Sequence, residues 1–104
     1  MRRLATLILA STCAGALAAE PPPGREKSRP CAICHGPLGL SSAPDSPHLA
    51  GQPQIYLVEQ LRAFRDGRRR HEVMNVVAKP LTDADIAEIA QWYASIAVEA
   101  REKP

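Results

Sequence analysis

Two cysteines three residues apart, Cys31 and Cys34, are followed directly by a histidine in the run Cys31-Ala32-Ile33-Cys34-His35. Two thiols and an imidazole at this spacing match the C-x-x-C-H pattern through which haem is joined covalently to protein. Each sulfur can form a thioether to one vinyl group of the ring, and the histidine is placed to bind the iron from one face. A bare C-x-x-C has two other uses, as a thioredoxin-like redox pair and as half of a zinc site. The first needs a βαβ context, which the surrounding sequence lacks, and the second needs another pair of ligands. Only Cys13 remains as a third cysteine, and it falls in a segment with the marks of a removable leader. One haem c with its iron is therefore the predicted cofactor, attached at Cys31 and Cys34 with His35 as an axial ligand.

The opposite face of the iron calls for a neutral sulfur or nitrogen donor. Met74 is the only methionine beyond the leader, and His48 and His71 are the rival imidazoles. A thioether favours reduced iron and raises the potential, which suits an electron carrier. A lone methionine is otherwise a common gap-filling core residue. On residue types alone the choice stays open.

The chain starts as an export signal does. Arg2 and Arg3 are followed by an apolar run from Leu4 to Leu17 and by the small-x-small pattern Ala16-Leu17-Ala18, so residues 1–19 are predicted to be a cleavable secretory signal. The run is shorter than the roughly 20 residues that cross a bilayer, and no membrane span is expected after cleavage. A lipidated Cys13 is the alternative, but Ala10-Ser11-Thr12 is a poor match to the residues that precede a lipidated cysteine. Export and the haem motif agree, because haem c is attached outside the cytoplasm; the predicted location is the periplasm. The mature chain of about 85 residues makes one small domain, near the size at which an apolar core alone struggles to hold a fold. Its aromatic residues are Tyr56, Phe64, Trp92 and Tyr93, and a haem would supply a large flat apolar body in their stead. Without Arg2 and Arg3 the basic and acidic residues balance, so charge gives no case for nucleic acid.

The elements that must position these groups read as helices. Residues 20–29 are rich in proline and charge and are predicted to be an extended lead-in, with residues 30–104 as the monohaem domain. Ser28 is the predicted N-cap, and Pro30 the first-turn proline, of a short helix that carries the cysteines. From Gly36 to Pro53 the breakers are too dense for a regular element, and a loop of this length suits wrapping around the haem. A helix is expected from about Pro53 to Asp66 on the spacing of Leu57, Leu61 and Phe64, with Gly67 as its stop. Arg68 to Leu81, which holds Met74, reads as a loop or one irregular helical turn. A last helix starts at Thr82, with Ile86, Ile89, Ala90, Tyr93 and Ile96 as its apolar stripe. No strand signal competes, and the fold class is all-α.

In four ordered segments the sequence resembles the class I c-type cytochromes, most closely one half of the soluble diheme cytochromes of bacterial respiratory chains. The segments are Cys31 to Gly36, Pro47-His48-Leu49-Ala50-Gly51-Gln52, Tyr56 to Arg69, and Met74 to Ile86. The resemblance implies a small cytochrome c fold with a few helices around one haem. It implies His35 as the proximal ligand and Met74 as the distal one. It also implies that the Pro47 carbonyl accepts a hydrogen bond from the His35 ring, that Leu49 packs against the haem, and that the segment from Gln52 to Arg69 sets polar groups near the propionates. Two departures stand out. The stretch before Cys31 is rich in proline and glycine, where relatives have a longer helix, and the diheme relatives carry the whole pattern twice.

Arg62, Arg65, Arg68, Arg69 and Arg70 form a basic cluster interrupted by Asp66 and bordered by Glu59 and Glu72. It reads either as a docking face for acidic redox partner proteins, or as propionate neutralisation, or as a solvated helix end. The function implied is a periplasmic electron carrier that cycles Fe(III)/Fe(II) between partners. It would be no enzyme and would bind no substrate, since His and Met fill both axial sites. The alternatives are a haem-bearing subunit of a dehydrogenase or oxidase complex and a gas- or peroxide-reactive haem protein.

Overall fold

A computed structural model of the chain describes residues 15, 16 and 18–104. The predicted signal peptide lies almost entirely outside the described residues. The described residues form five helices in order: α1 (Pro23–Lys27), α2 (Arg29–His35), α3 (Gln54–Arg65), α4 (Glu72–Ala78) and α5 (Asp83–Ala94). Among the described residues there is no strand, as the sequence predicts, and no helix is long and apolar enough to cross a membrane.

α5 is the spine of the fold. Thr82 caps it in a reciprocal box, its hydroxyl accepting from the Asp85 N–H at 3.1 Å while the Asp85 carboxylate accepts from the Thr82 N–H at 3.0 Å. Ile86, Ile89, Ala90 and Tyr93 then fall on one face at helical spacing, and all four are buried. α3 lays Leu57 against that face, and Cys31, Leu49, Val58, Leu61, Leu81, Trp92 and Ile96 complete the core around it. α4 packs on α3.

The stretch predicted to be extended differs from expectation. Residues 23–27 form the short helix α1, which crosses α5. Pro23 is tolerated in its first turn, where the missing N–H has no helical partner to lose. Gly24 lets the backbones meet, since a Cβ there would overlap the Glu88 carbonyl and lie 2.9 Å from Trp92 Cβ. The Lys27 ammonium pairs with Asp85 at 2.5 Å and lies 3.2 Å from Glu88 Oε2, the latter without the alignment of a hydrogen bond. A proline-glycine-charge composition reads as solvated only while its apolar partner face, here on α5, is out of view.

Ser28 departs from expectation too. It precedes α2, but its hydroxyl donates backwards to the Arg25 carbonyl at 2.9 Å instead of capping α2. Met74 lies on a regular seven-residue helix, α4, where a loop or irregular turn is expected. α3 ends at Arg65, followed by Gly67, close to the predicted stop.

Candidate haem site

α2 carries the two thiols one turn apart, at i and i+3, so both emerge on one side of the helix. Among the described residues neither is in a disulfide. Cys34 is exposed, whereas Cys31 is half-buried against the α3–α5 core, and burial pushes its thiol pKa up. Tyr93 stands over Cys31. Its hydroxyl is buried with no hydrogen-bond partner in good geometry among the described residues, although Ser28 and the Cys31 sulfur are near enough to act on it. Burial first, and the Cys31 sulfur second, push the phenol up to about 12.

His35 closes α2 and is 7% exposed. Its Nδ1 lies 2.8 Å from the Pro47 carbonyl oxygen. A carbonyl only accepts, so Nδ1 carries the proton and Nε2 keeps its lone pair for a metal. The loop from Gly36 to Pro53 is built to bring Pro47 there. Leu49 and Ala50 N–H groups both donate to the Gly39 carbonyl, at 2.7 and 3.1 Å, and the Gly51 N–H donates to the Tyr93 carbonyl at 2.9 Å. Gly39 holds φ at +77°, and a Cβ there would press on the Tyr93 ring at 2.7 Å. Ser41 ties the same loop to α2, its hydroxyl donating to the Cys34 carbonyl at 3.1 Å.

The two other histidines have the opposite tautomer. His48 Nδ1 accepts from the Ser41 N–H at 2.8 Å, and His71 Nδ1 accepts from the Val73 and Met74 N–H groups at 3.2 and 3.3 Å. With Nδ1 accepting, a neutral ring holds its proton on Nε2 and offers no lone pair there. Met74 is half-buried on the first turn of α4, and it lies close to His35.

These residues fit a haem. Two free thiols on one helix side and an imidazole with a free Nε2 form the donor set of covalent attachment. Among the described residues no three His, Cys, Asp or Glu side chains converge as zinc ligands would. Ile33, Leu38 and Leu40, all within five residues of His35, are exposed, and so are Val73 and Val76 on either side of Met74. Apolar side chains left in water beside a donor set are what a flat apolar group would cover.

Most of the arginine cluster has internal work. Arg65 pairs with Asp83 at 2.8 Å and donates to the Leu81 carbonyl at 3.2 Å, holding the Asp83 carboxyl below its usual range. Arg62 lies 3.7 Å from Asp83, so both arginines brace α3 against the start of α5. Arg69 donates to Gln60 at 2.6 Å and covers the Phe64 ring at 4.6 Å. Arg68 pairs loosely with Asp66 at 3.5 Å, and Arg70 has no ion-pair partner among the described residues.

A family model described as cytochrome c matches residues 27–97. The chain belongs to the cytochrome c family. The family's cofactor is covalently bound haem c with its iron, and this chain shares it. A cytochrome c-554(548) of Halomonas halodenitrificans is 41% identical over 75 residues, covering 69% of this chain and 90% of that protein. A "thiosulfate dehydrogenase electron acceptor" of Thiomonas intermedia (strain K12) is 39% identical over 88 residues, covering 84% of this chain and 39% of that one. Among solved structures, reduced recombinant cytochrome c4 from Pseudomonas stutzeri superposes with a TM-score of 0.70 at 34% identity, over 77% of this chain and 47% of that chain. The chain thus spans about two-fifths to half the length of several relatives it matches. The fold is that of a class I cytochrome c.

The contacts around this cytochrome site are the least visible part of its sequence. Tyr93 read only as one position of an apolar stripe, and Ser41 and Asn75 had no pattern of their own. The run His71-Glu72-Val73-Met74 held a signal, a side-chain acceptor before an acidic first turn, but histidine is not among the usual caps.

Proposed function

We propose that this chain is an exported, periplasmic one-electron carrier, with haem joined at Cys31 and Cys34 and the iron held between His35 and Met74. When bound, the haem supplies the Fe(III)/Fe(II) couple. The observation that carries the reading is the His35 to Pro47 hydrogen bond. It fixes the ring plane and the tautomer, and it raises the basicity of Nε2. The opposite tautomers of His48 and His71 favour Met74 for the other axial position, and a thioether there favours the reduced state. Two axial protein ligands leave no position for a substrate. Residues 1–19 are proposed to leave as a signal peptide, which the mass of the periplasmic protein tests.

The test of ligation is the spectrum and potential of the holoprotein. The parent should show the faint far-red charge-transfer band of thioether-ligated ferric iron. Met74→Ala should abolish it, lower the potential and admit carbon monoxide to the reduced form. A parent without the band, whose iron opens instead on His48→Ala or His71→Ala, would overturn the reading.

The partner proposed is a dehydrogenase or oxidase of acidic surface, whether this chain is a free carrier or a haem-bearing subunit. The relative from Thiomonas intermedia bears the name of a dehydrogenase's electron acceptor, which supports the first class. Arg68, Arg69 and Arg70, on the exposed link after α3, are the arginines proposed for docking. Neutralising all three should slow association with such a partner several-fold at low ionic strength, and the difference should vanish at high salt. Equal rates at every salt concentration would assign these charges to ordinary solvation.

A further inference from the structure

We propose that His71 and Asn75 are positioning residues for Met74, setting the backbone at the start of α4 from which the thioether is presented to the iron. The inference rests on the reading that Met74 is the distal ligand. α4 has only seven residues, three of them the β-branched Val73, Val76 and Val77, and so short a segment has little helicity of its own. Among the helices of the described residues it packs only on α3. Side-chain anchors must hold it.

His71 is extended, with φ −157° and ψ 132°, and turns its ring back over the helix start. Its Nδ1 accepts from the Val73 and Met74 N–H groups at 3.2 and 3.3 Å, so the ligand residue's own amide is tied to this ring. The ring meets Phe64 edge to face, 76° between planes, which fixes it against α3. Asn75 follows Met74 directly. Its Oδ1 accepts from the His71 N–H at 2.7 Å, and its Nδ2 donates to the Phe64 and Arg69 carbonyls at 2.8 Å each. Only one orientation of the amide satisfies all three bonds. The end of α3, the link and the first turn of α4 are thereby joined on either side of Met74. None of these bonds touches the α1–α5 crossing, so loosening them moves the methionine while the rest of the fold stays closed.

The experiment compares holoprotein of the parent, His71→Ala, His71→Asn and Asn75→Ala. The readouts are the far-red band of the ferric form, the potential, and the rate at which added imidazole displaces the sixth ligand. The alanine variants should show a weaker band and imidazole entry faster by about tenfold, the scale of local opening expected when a helix cap is lost. His71→Asn should restore both, because an asparagine oxygen caps a helix equally well. Alanine variants with the parent's band and rate would overturn the proposal. So would a His71→Asn variant as damaged as His71→Ala, which would give the ring a role other than accepting those two bonds. A parent that lacks the band would instead remove Met74 as the ligand, and this inference with it.

Discussion

Tyr93 concentrates the residue-scale physics of this molecule. Its ring fills the centre of the core beside Cys31 and Gly39, while its hydroxyl is buried without a partner in good geometry among the described residues. A buried hydroxyl that makes no bond costs about 1–3 kcal/mol relative to one left in water. Tyr93→Phe removes the hydroxyl and opens no void, so the urea midpoint of the holoprotein should rise by the equivalent of about 1 kcal/mol. A fall of the same size would mean that the hydroxyl bonds Ser28 or the Cys31 sulfur in solution. At this scale the sequence was most legible where chemistry demands a fixed spacing. The His35 ring meets the Pro47 carbonyl at 2.8 Å, the bond that the C-x-x-C-H motif and the proline twelve residues on lead one to expect. The His71 ring was illegible because histidine is not among the usual caps, and the Tyr93 hydroxyl because its surroundings depend on what folds over it. No local pattern encodes a contact made across the chain.

Among the elements, the α1–α5 clasp is the one whose charge can be dialled. The Lys27 ammonium first, then the Thr82 N–H and hydroxyl, hold the Asp85 carboxyl down at about 2. An unfolded aspartate titrates near 3.9, so the stabilisation from this group is complete above about pH 4 and is lost as pH falls through about 2. Lys27 itself is raised by the same pair; its part is complete below its unfolded value and fades as pH rises through the folded one. Lys27→Met should therefore lower the urea midpoint at pH 6, and the gap to the parent should close as pH approaches 2. A gap of constant size across that range would show that the packing of the lysine stem matters rather than its charge. α3 and α5 were legible because an apolar stripe and a cap are local signals. α1 and α4 were not, since one depends on a glycine crossing and an ion pair 58 residues away and the other on a histidine cap.

For the whole molecule the balance of apolar area decides what the polypeptide can do alone. Four aromatic residues serve the entire chain, and Ile33, Leu38, Leu40, Ile55, Val73 and Val76 are left exposed. So small a core offsets chain entropy poorly without a large apolar group to complete it. Circular dichroism of Cys31→Ala/Cys34→Ala should show a clear loss of helix against the holoprotein, and native-like helicity with a cooperative melt would contradict that expectation. The crossing of α1 over α5 has a further consequence. The start of α1 and the end of α5 lie together, Gly24 meeting Trp92, so a second copy can be strung to the first by a short tether without threading through either core. Head-to-tail doubling then asks for no redesign of the unit. Each copy keeps its own haem and its own loop, and the distance an electron must travel between two irons is set by how the tethered units lean together. The length of the cytochrome c4 chain, of which this domain covers 47%, is what such doubling would give.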